Sequence, residues 1–269
     1  EILTGENKKN LNLFDNSNKT FTFNVKKAFI DNEHDLLNLT GEFLLKRNNI
    51  KELKLLSNFK DNENVSLSIK SIDNNKITIF YSDLAKPFVK KFKFIKGFEN
   101  GKIDFTSTKN KGASNSVLKI YDFKLKEVPV LTKILTLASL QGISDLLTGE
   151  GVRFDEFEML FTNKDNLTQI DEIYSIGPAI SILMEGYIQS NELISLKGTL
   201  VPATTINKFV ASIPVLGEIL VGKKTGEGVF GVSFKIKGHP KDLKTTVNPI
   251  KTLTPRFITR TLEKIKKKN

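Results

Sequence analysis

The chain has 269 residues, enough for one large domain or two small ones, and its 39% hydrophobic content is low for a compact globule and suits a thin or one-sided structure. It has no cysteine, which excludes disulfides, thiolate metal sites and cysteine nucleophiles. Its net charge of +11 leaves nucleic acid and an anionic membrane as the partner classes to weigh.

The first eighty residues read as short strands. Phe21, Phe23 and Val25 alternate with Thr22, Asn24 and Lys26, and Val65, Leu67 and Ile69 alternate with Ser66, Ser68 and Lys70. Lys76–Tyr81 is mostly apolar, with Ile77, Ile79 and Tyr81 on one face. Polar breaks fall at Asp31–Asp35, Asn48–Asn49, Asp61–Asn64 and Asp73–Asn75. Period two at this spacing predicts an antiparallel meander with one apolar face, and Asp73-Asn74-Asn75 suits a tight hairpin. Asp83 has the chemistry of an N-cap for a helix over Leu84–Phe92, with Pro87 tolerated in its first turn.

Strands are expected next at Lys102–Ser107 and Val117–Leu125. Val130–Leu147 carries helical spacing: Leu131, Ile134, Leu135 and Ala138 share a face, which Ile143, Leu146 and Leu147 continue after a break at Gly142. Strand patterns resume at Val152–Phe161, Leu167–Ile176, Ala179–Gln189 and Leu193–Val201. A helix is expected near Thr204–Ile213, then a clear strand at Val229–Lys237 with Phe230, Val232, Phe234 and Ile236 on one side. Thr254 caps a last helix that opens with Pro255. The strand with one apolar face recurs about a dozen times.

Little of this resembles catalytic machinery. His34 sits in an acidic turn and His239 between Gly238 and Pro240, both read as surface residues. Asp155, Glu156 and Glu158 are close in sequence but lack a partner histidine, serine or metal-ligand spacing. The chain is expected to be no enzyme and to use no metal or cofactor. It has no helix-turn-helix, zinc or RNP-like pattern, so nucleic acid is not expected as a partner. No apolar run approaches the roughly 20 residues of a spanning helix, and no signal peptide is visible. The first residue is Glu1, so an N-terminal anchor is expected to lie outside the sequence given. Over half of the excess charge lies in residues 251–269, where Lys251, Arg256, Arg260, Lys264, Lys266, Lys267 and Lys268 face Glu263 alone. Ile258, Leu262 and Ile265 line the other side of that helix, a pattern that fits either an anionic bilayer surface or a solvated charge run.

An ordered set of turn motifs occupies the last two-thirds of the chain. Asp83–Phe92 precedes a Gly-led strand at Gly97–Phe105, and Pro129–Leu147 ends in Gly149-Glu150-Gly151. Gly177-Pro178, Gly186 and the run Gly198-Thr199-Leu200-Val201-Pro202-Ala203 follow, with Asn207 beyond. Ile213-Pro214-Val215-Leu216-Gly217, Gly226-Glu227-Gly228, Asn248-Pro249, and Pro255 with Arg260 complete it. From Asp83 to Leu262 this order resembles the C-terminal region of the AsmA-like family, its YhdP branch in particular. Thr204 stands where that family has an aromatic, and Lys251-Thr252 replaces a Leu-Ser pair. The glycines and prolines are read as shaping turns rather than binding anything.

The resemblance implies a mainly β fold with a few helices: a long curled antiparallel sheet forming an apolar groove, capped by amphipathic helices. The chain is read as an N-terminal β-groove segment (1–82), included because its strand pattern continues the architecture, an AsmA-like module (83–262) and a basic tail (263–269). The implied function is a bridge-like lipid carrier that shields phospholipid acyl chains between inner and outer membranes. The implied place is the periplasm of a Gram-negative bacterium, tethered to the inner membrane. Related TamB-type proteins imply the alternative, a scaffold for outer-membrane protein assembly with envelope proteins as partners. The expected groove lining is Phe21, Phe23, Val65, Leu67, Ile69, Ile77, Ile79, Phe105, Phe154, Phe157, Phe161, Ile180, Ile182, Met184, Ile194, Leu196, Phe230, Val232 and Phe234. A membrane surface is expected to meet Arg256, Arg260, Lys264, Lys266, Lys267 and Lys268. Without the resemblance, the same strands fit a closed sandwich.

Overall fold

Alternation at period two extends the backbone over most of the chain, and short turns oblige successive strands to pair antiparallel. The computed structural model describes residues 18–46, 49–90, 97–190, 192–203, 231–250 and 254–268, with backbone alone at 49, 146 and 264–268. The strands are β1 (Asn18–Phe29), β2 (Asp35–Lys46), β3 (Asn49–Asn58), β4 (Asn64–Ile72), β5 (Asn75–Ser82), β6 (Phe98–Asn110), β7 (Ala113–Leu125), β8 (Val152–Lys164), β9 (Leu167–Ile176), β10 (Ile180–Gln189), β11 (Leu193–Pro202), β12 (Gly231–His239) and β13 (Asp242–Ile250). They form a single antiparallel sheet in chain order, which does not close on itself. The mainly β class holds, and the described strands do not divide into the two layers of a sandwich.

Turn chemistry sets the register. Ile72 pairs with Asn75 across Asp73-Asn74, with Asp73 at φ 53°. Asn110 pairs with Ala113 across Lys111-Gly112, both at positive φ, as the tight hairpin turn that follows strand twist requires. β13 is a strand that alternation did not predict. Its Lys, Thr and Asn content carries almost no apolar signal, and Pro249 fits because this is an edge strand.

Four helices are described: α1 (Lys86–Val89), α2 (Pro129–Leu137), α3 (Gln141–Thr148) and α4 (Pro255–Lys268). Two expectations need correction. Asp83 caps no helix: α1 starts after it with no side-chain cap, and Asp83 instead accepts from the Asn64 N–H (2.9 Å) and the Tyr81 hydroxyl (2.6 Å). The break between α2 and α3 falls at Ser139 (φ 57°), while Gly142 lies within α3. The expected cap of α4 is present, the Phe257 N–H donating to Thr254 Oγ1 at 3.3 Å. The expected helix near Thr204–Ile213, the Gly226-Glu227-Gly228 turn, Val229 and Phe230 lie outside the described residues.

Both faces of the sheet hold a buried cluster. On one, Leu131, Ile134, Leu135 and Leu147 of α2 and α3, with Ala85 and Val89, pack against Phe98, Ile103, Ile120, Phe123, Val152, Phe154, Ile180, Ile182, Leu200, Val232, Phe234 and Ile236. Phe98, Phe123 and Phe154 stack there at 5.4 and 5.3 Å between ring centres. No residue of β1–β4 belongs to that cluster. On the other face, Phe257 of α4 packs with Tyr174, Leu183 and Val201. The hydrogen-bonded sheet passes from β5 to β6 without interruption across position 82/83.

Candidate functional site

In an antiparallel sheet, directly paired residues share a face, so the register can be followed from strand to strand. One row crosses all thirteen strands: Phe23, Gly41, Leu55, Leu67, Phe80, Phe105, Leu118, Met159, Ile173, Met184, Gly198, Phe234 and Val247. It contains no polar or charged side chain. Its two glycines are sites of close approach by aromatic rings. A Cβ on Gly41 would stand 2.1 Å from the Phe23 ring, and one on Gly198 2.6 Å from that of Phe234. Each glycine lets a ring lie flat across the neighbouring strand and keeps the row apolar.

The flanking rows place most of the expected lining on this face. Val65, Phe157, Ile182 and Val232 share the row of Ser82 and Ile103; Phe21, Ile69, Phe161 and Leu196 share the row of Thr78. Ile180 and Ile194 continue the alternation of β10 and β11. Phe154 lies in the stacked ladder beneath the helices. Ile77 and Ile79 are placed differently. They pair with Lys70 and Ser68 on the opposite face, and Ile79 is 48% exposed. The run Lys76–Tyr81 is apolar on both faces, so alternation had no means of choosing, and Phe80 takes the place expected of its neighbours. Leu55, Leu118, Met159, Ile173 and Val247 were also missed, although Leu55, Leu118 and Met159 extend alternating runs. Phe230 lies outside the described residues.

Cover over this face is uneven. Phe234 and Val232 are buried beneath the helices, whereas Phe21, Phe23 and Val25 are 38%, 37% and 38% exposed. Phe88 of α1 meets Phe80 edge-on at 4.7 Å, and Phe59 at 6.5 Å.

The opposite face carries the carboxylates that meet α4. Four residues of α4 advance about 6 Å and neighbouring strands lie about 4.8 Å apart, so arginines four residues apart can reach carboxylates on successive strands. Arg256 meets Glu185 on β10 (2.9 Å) and Glu172 on β9 (2.7 Å); Arg260 meets Glu172 (2.6 Å) and Glu158 on β8 (3.1 Å). Skipped pairing at Asp171 marks a bulge, and Glu172 beside it shares the α4 face with Tyr174. Burial alone would lower the Arg260 pKa, but the facing Glu172 and Glu158 carboxylates outweigh it and hold it above the usual arginine range. Tyr174 is raised by burial, and its hydroxyl lies 3.2 Å from Thr261 Oγ1. Glu185 is held low, first by the hydrogen bond from Lys197 and then by the nearby Arg256.

Arg256 and Arg260, expected at a membrane surface, are therefore engaged within the protein. Lys264 and Lys266–Lys268 lie on α4, with side chains outside the description. Glu158 also pairs with Lys119 at 3.6 Å. His34 Nδ1 lies 2.9 Å from Asp31, and His239 accepts from the Lys241 N–H. Among the described residues no group of His, Asp or Glu could hold a metal, and no helix is long and apolar enough to cross a membrane.

Comparison with known protein families, with curated proteins and with solved structures found no match. The likeness to the AsmA-like family rests on the sequence motifs alone.

Proposed function

We propose that this protein is a segment of a bridge-like phospholipid carrier, its apolar face forming a groove that shields acyl chains between two membranes of a Gram-negative envelope. The observation that carries the reading is the apolar row, unbroken through thirteen strands and open to solvent at the β1 end. Hydrocarbon in water costs roughly 0.8 kcal/mol per methylene, so a carrier needs continuous apolar contact with no position that holds too tightly. Thirteen strands give about 58 Å of such contact. An exposed apolar patch of this kind on a monomer marks an interaction site. In this reading α2 and α3 stop the covered end, and lipid enters over β1–β5. The periplasm and an inner-membrane tether follow from the family resemblance.

The test places a charge where no described helix joins the buried cluster. Val232 and Phe234 belong to the buried cluster, so aspartate there would test folding. Leu55 and Leu67 are half-buried and lie outside it. Leu55→Asp or Leu67→Asp is expected to lower photo-cross-linking to phospholipid by at least about tenfold with the circular dichroism unchanged, since an unpaired carboxylate is costly beside hydrocarbon. Undiminished cross-linking in the folded variants would remove these side chains from a lipid path. Recovery of unfolded polypeptide in place of lipid would support the scaffold reading instead.

A further inference from the structure

The open face has a polarity gradient along β5, β6 and β7. Phe80, Phe105 and Leu118 form the apolar row. Two residues nearer the turns, Thr78, Ser107 and Ser116 form a row of hydroxyls, in which Ser116 Oγ donates to Ser107 Oγ at 2.9 Å. Two residues further, Lys76 stands directly opposite Lys109, with Ser114 beside it. Each step is about 6.8 Å along the strand.

Two lysines directly paired across strands repel one another. Both are exposed, and neither forms an ion pair among the described residues. On the other side of the apolar row the face is closed, since Ile103 and Ile120 are buried with Ala85 and with Val89 of α1. A molecule lying on Phe80, Phe105 and Leu118 thus has a covered apolar side and an open side that passes through hydroxyls to a pair of cations. That sequence of environments matches a phospholipid read from acyl chain through ester linkage to phosphate.

We propose that Lys76 and Lys109 receive the phosphate of a phospholipid whose acyl chains lie along Phe80, Phe105 and Leu118. The proposal rests on the lipid-carrier reading and adds to it a headgroup site and a preference for a charged phosphate. The anion relieves the repulsion between the lysines, and the half-buried Thr78 and Ser107 hydroxyls offer hydrogen bonds to the ester oxygens, while the buried Ser116 orients Ser107.

The experiment compares photoactivatable phosphatidylglycerol with photoactivatable diacylglycerol of the same chains, each presented to the whole chain. In the Lys76→Gln/Lys109→Gln variant, phosphatidylglycerol cross-linking is expected to fall about tenfold while diacylglycerol cross-linking is unchanged. Lys76→Arg/Lys109→Arg keeps both. Lys54→Gln/Lys70→Gln removes the same charge from the opposite face and is expected to change neither. Undiminished phosphatidylglycerol cross-linking in the glutamine variant overturns the headgroup site and leaves the carrier reading standing. So does equal loss of both lipids, or equal loss in the opposite-face control. Capture of neither lipid by the unaltered protein overturns the carrier reading and this site with it.

Discussion

Asp83 shows how one side chain can serve the sheet rather than the adjacent helix. Its position ahead of Leu84–Phe92 has the local chemistry of an N-cap. The fold brings Tyr81, Asn64 and Lys102 to it instead, and the Tyr81 hydroxyl, first among these, lowers its pKa to about 2. A depressed carboxylate contributes stability that is complete above its unfolded pKa and lost on acidification. This contribution is therefore expected to persist down to about pH 4 and to fade as the pH approaches about 2. Tyr81→Phe should raise the Asp83 midpoint toward the ordinary aspartate range, read by NMR titration of its carboxyl carbon. An unmoved midpoint would assign the depression to the backbone and lysine partners. Legibility at this scale depended on whether the partner was local. The Asp73-Asn74 turn and the Thr254 cap use partners within three residues and could be read from the chain. Asp83 is tied to Asn64, nineteen residues away.

Among the elements, α4 makes the clearest use of geometry. Its arginines lie one turn apart and meet carboxylates from three adjacent strands, while Phe257 fills the apolar space below. Glu172 is 4% exposed and contacts both arginines, so removing it leaves two guanidinium groups short of a partner. Glu172→Ala should cost about 3 kcal/mol in urea unfolding, with faster hydrogen exchange along α4. Arg256→Ala should cost less, because that side chain is half exposed. Loss of α4 protection without loss of global stability would mean that the helix is only loosely joined to the sheet. The sequence identified α4, its amphipathic pattern and its start, and left a membrane or water as its setting. Glu158, Glu172 and Glu185 lie on separate strands and were recognisable as its partners only after those strands had paired.

Across the whole molecule, burial is asymmetric. The cluster beneath α1–α3 draws on β5–β8 and β10–β13, while among the described residues β1–β4 add nothing to it. Local stability follows buried contact, so opening should be easiest at the β1 end. Backbone amides of β1 and β2 are expected to exchange at least roughly a hundredfold faster than those of β7 and β8 in hydrogen-exchange measurements. Uniform protection through the sheet would show that it opens as one unit. The exposed end is also where the proposed carrier function needs access. There Phe23 lies over Gly41, an arrangement that preserves apolar contact between the strands themselves.

The sequence by itself determined the mainly β class, a meander over the first eighty residues and much of the alternation behind the apolar row, because strand alternation and tight turns are local properties of the chain. It could not assign Ile77, Ile79 and Phe80 to their faces, since a run apolar on both sides has no preferred register until neighbours pair with it. β13 was hidden for the related reason that an edge strand needs little apolar content. Only the tertiary structure decided that the sheet stays unclosed, that α4 lies against the polar face, and that Lys76 stands opposite Lys109. Each depends on contacts between residues far apart in the chain, whose geometry exists only once the intervening strands are in place.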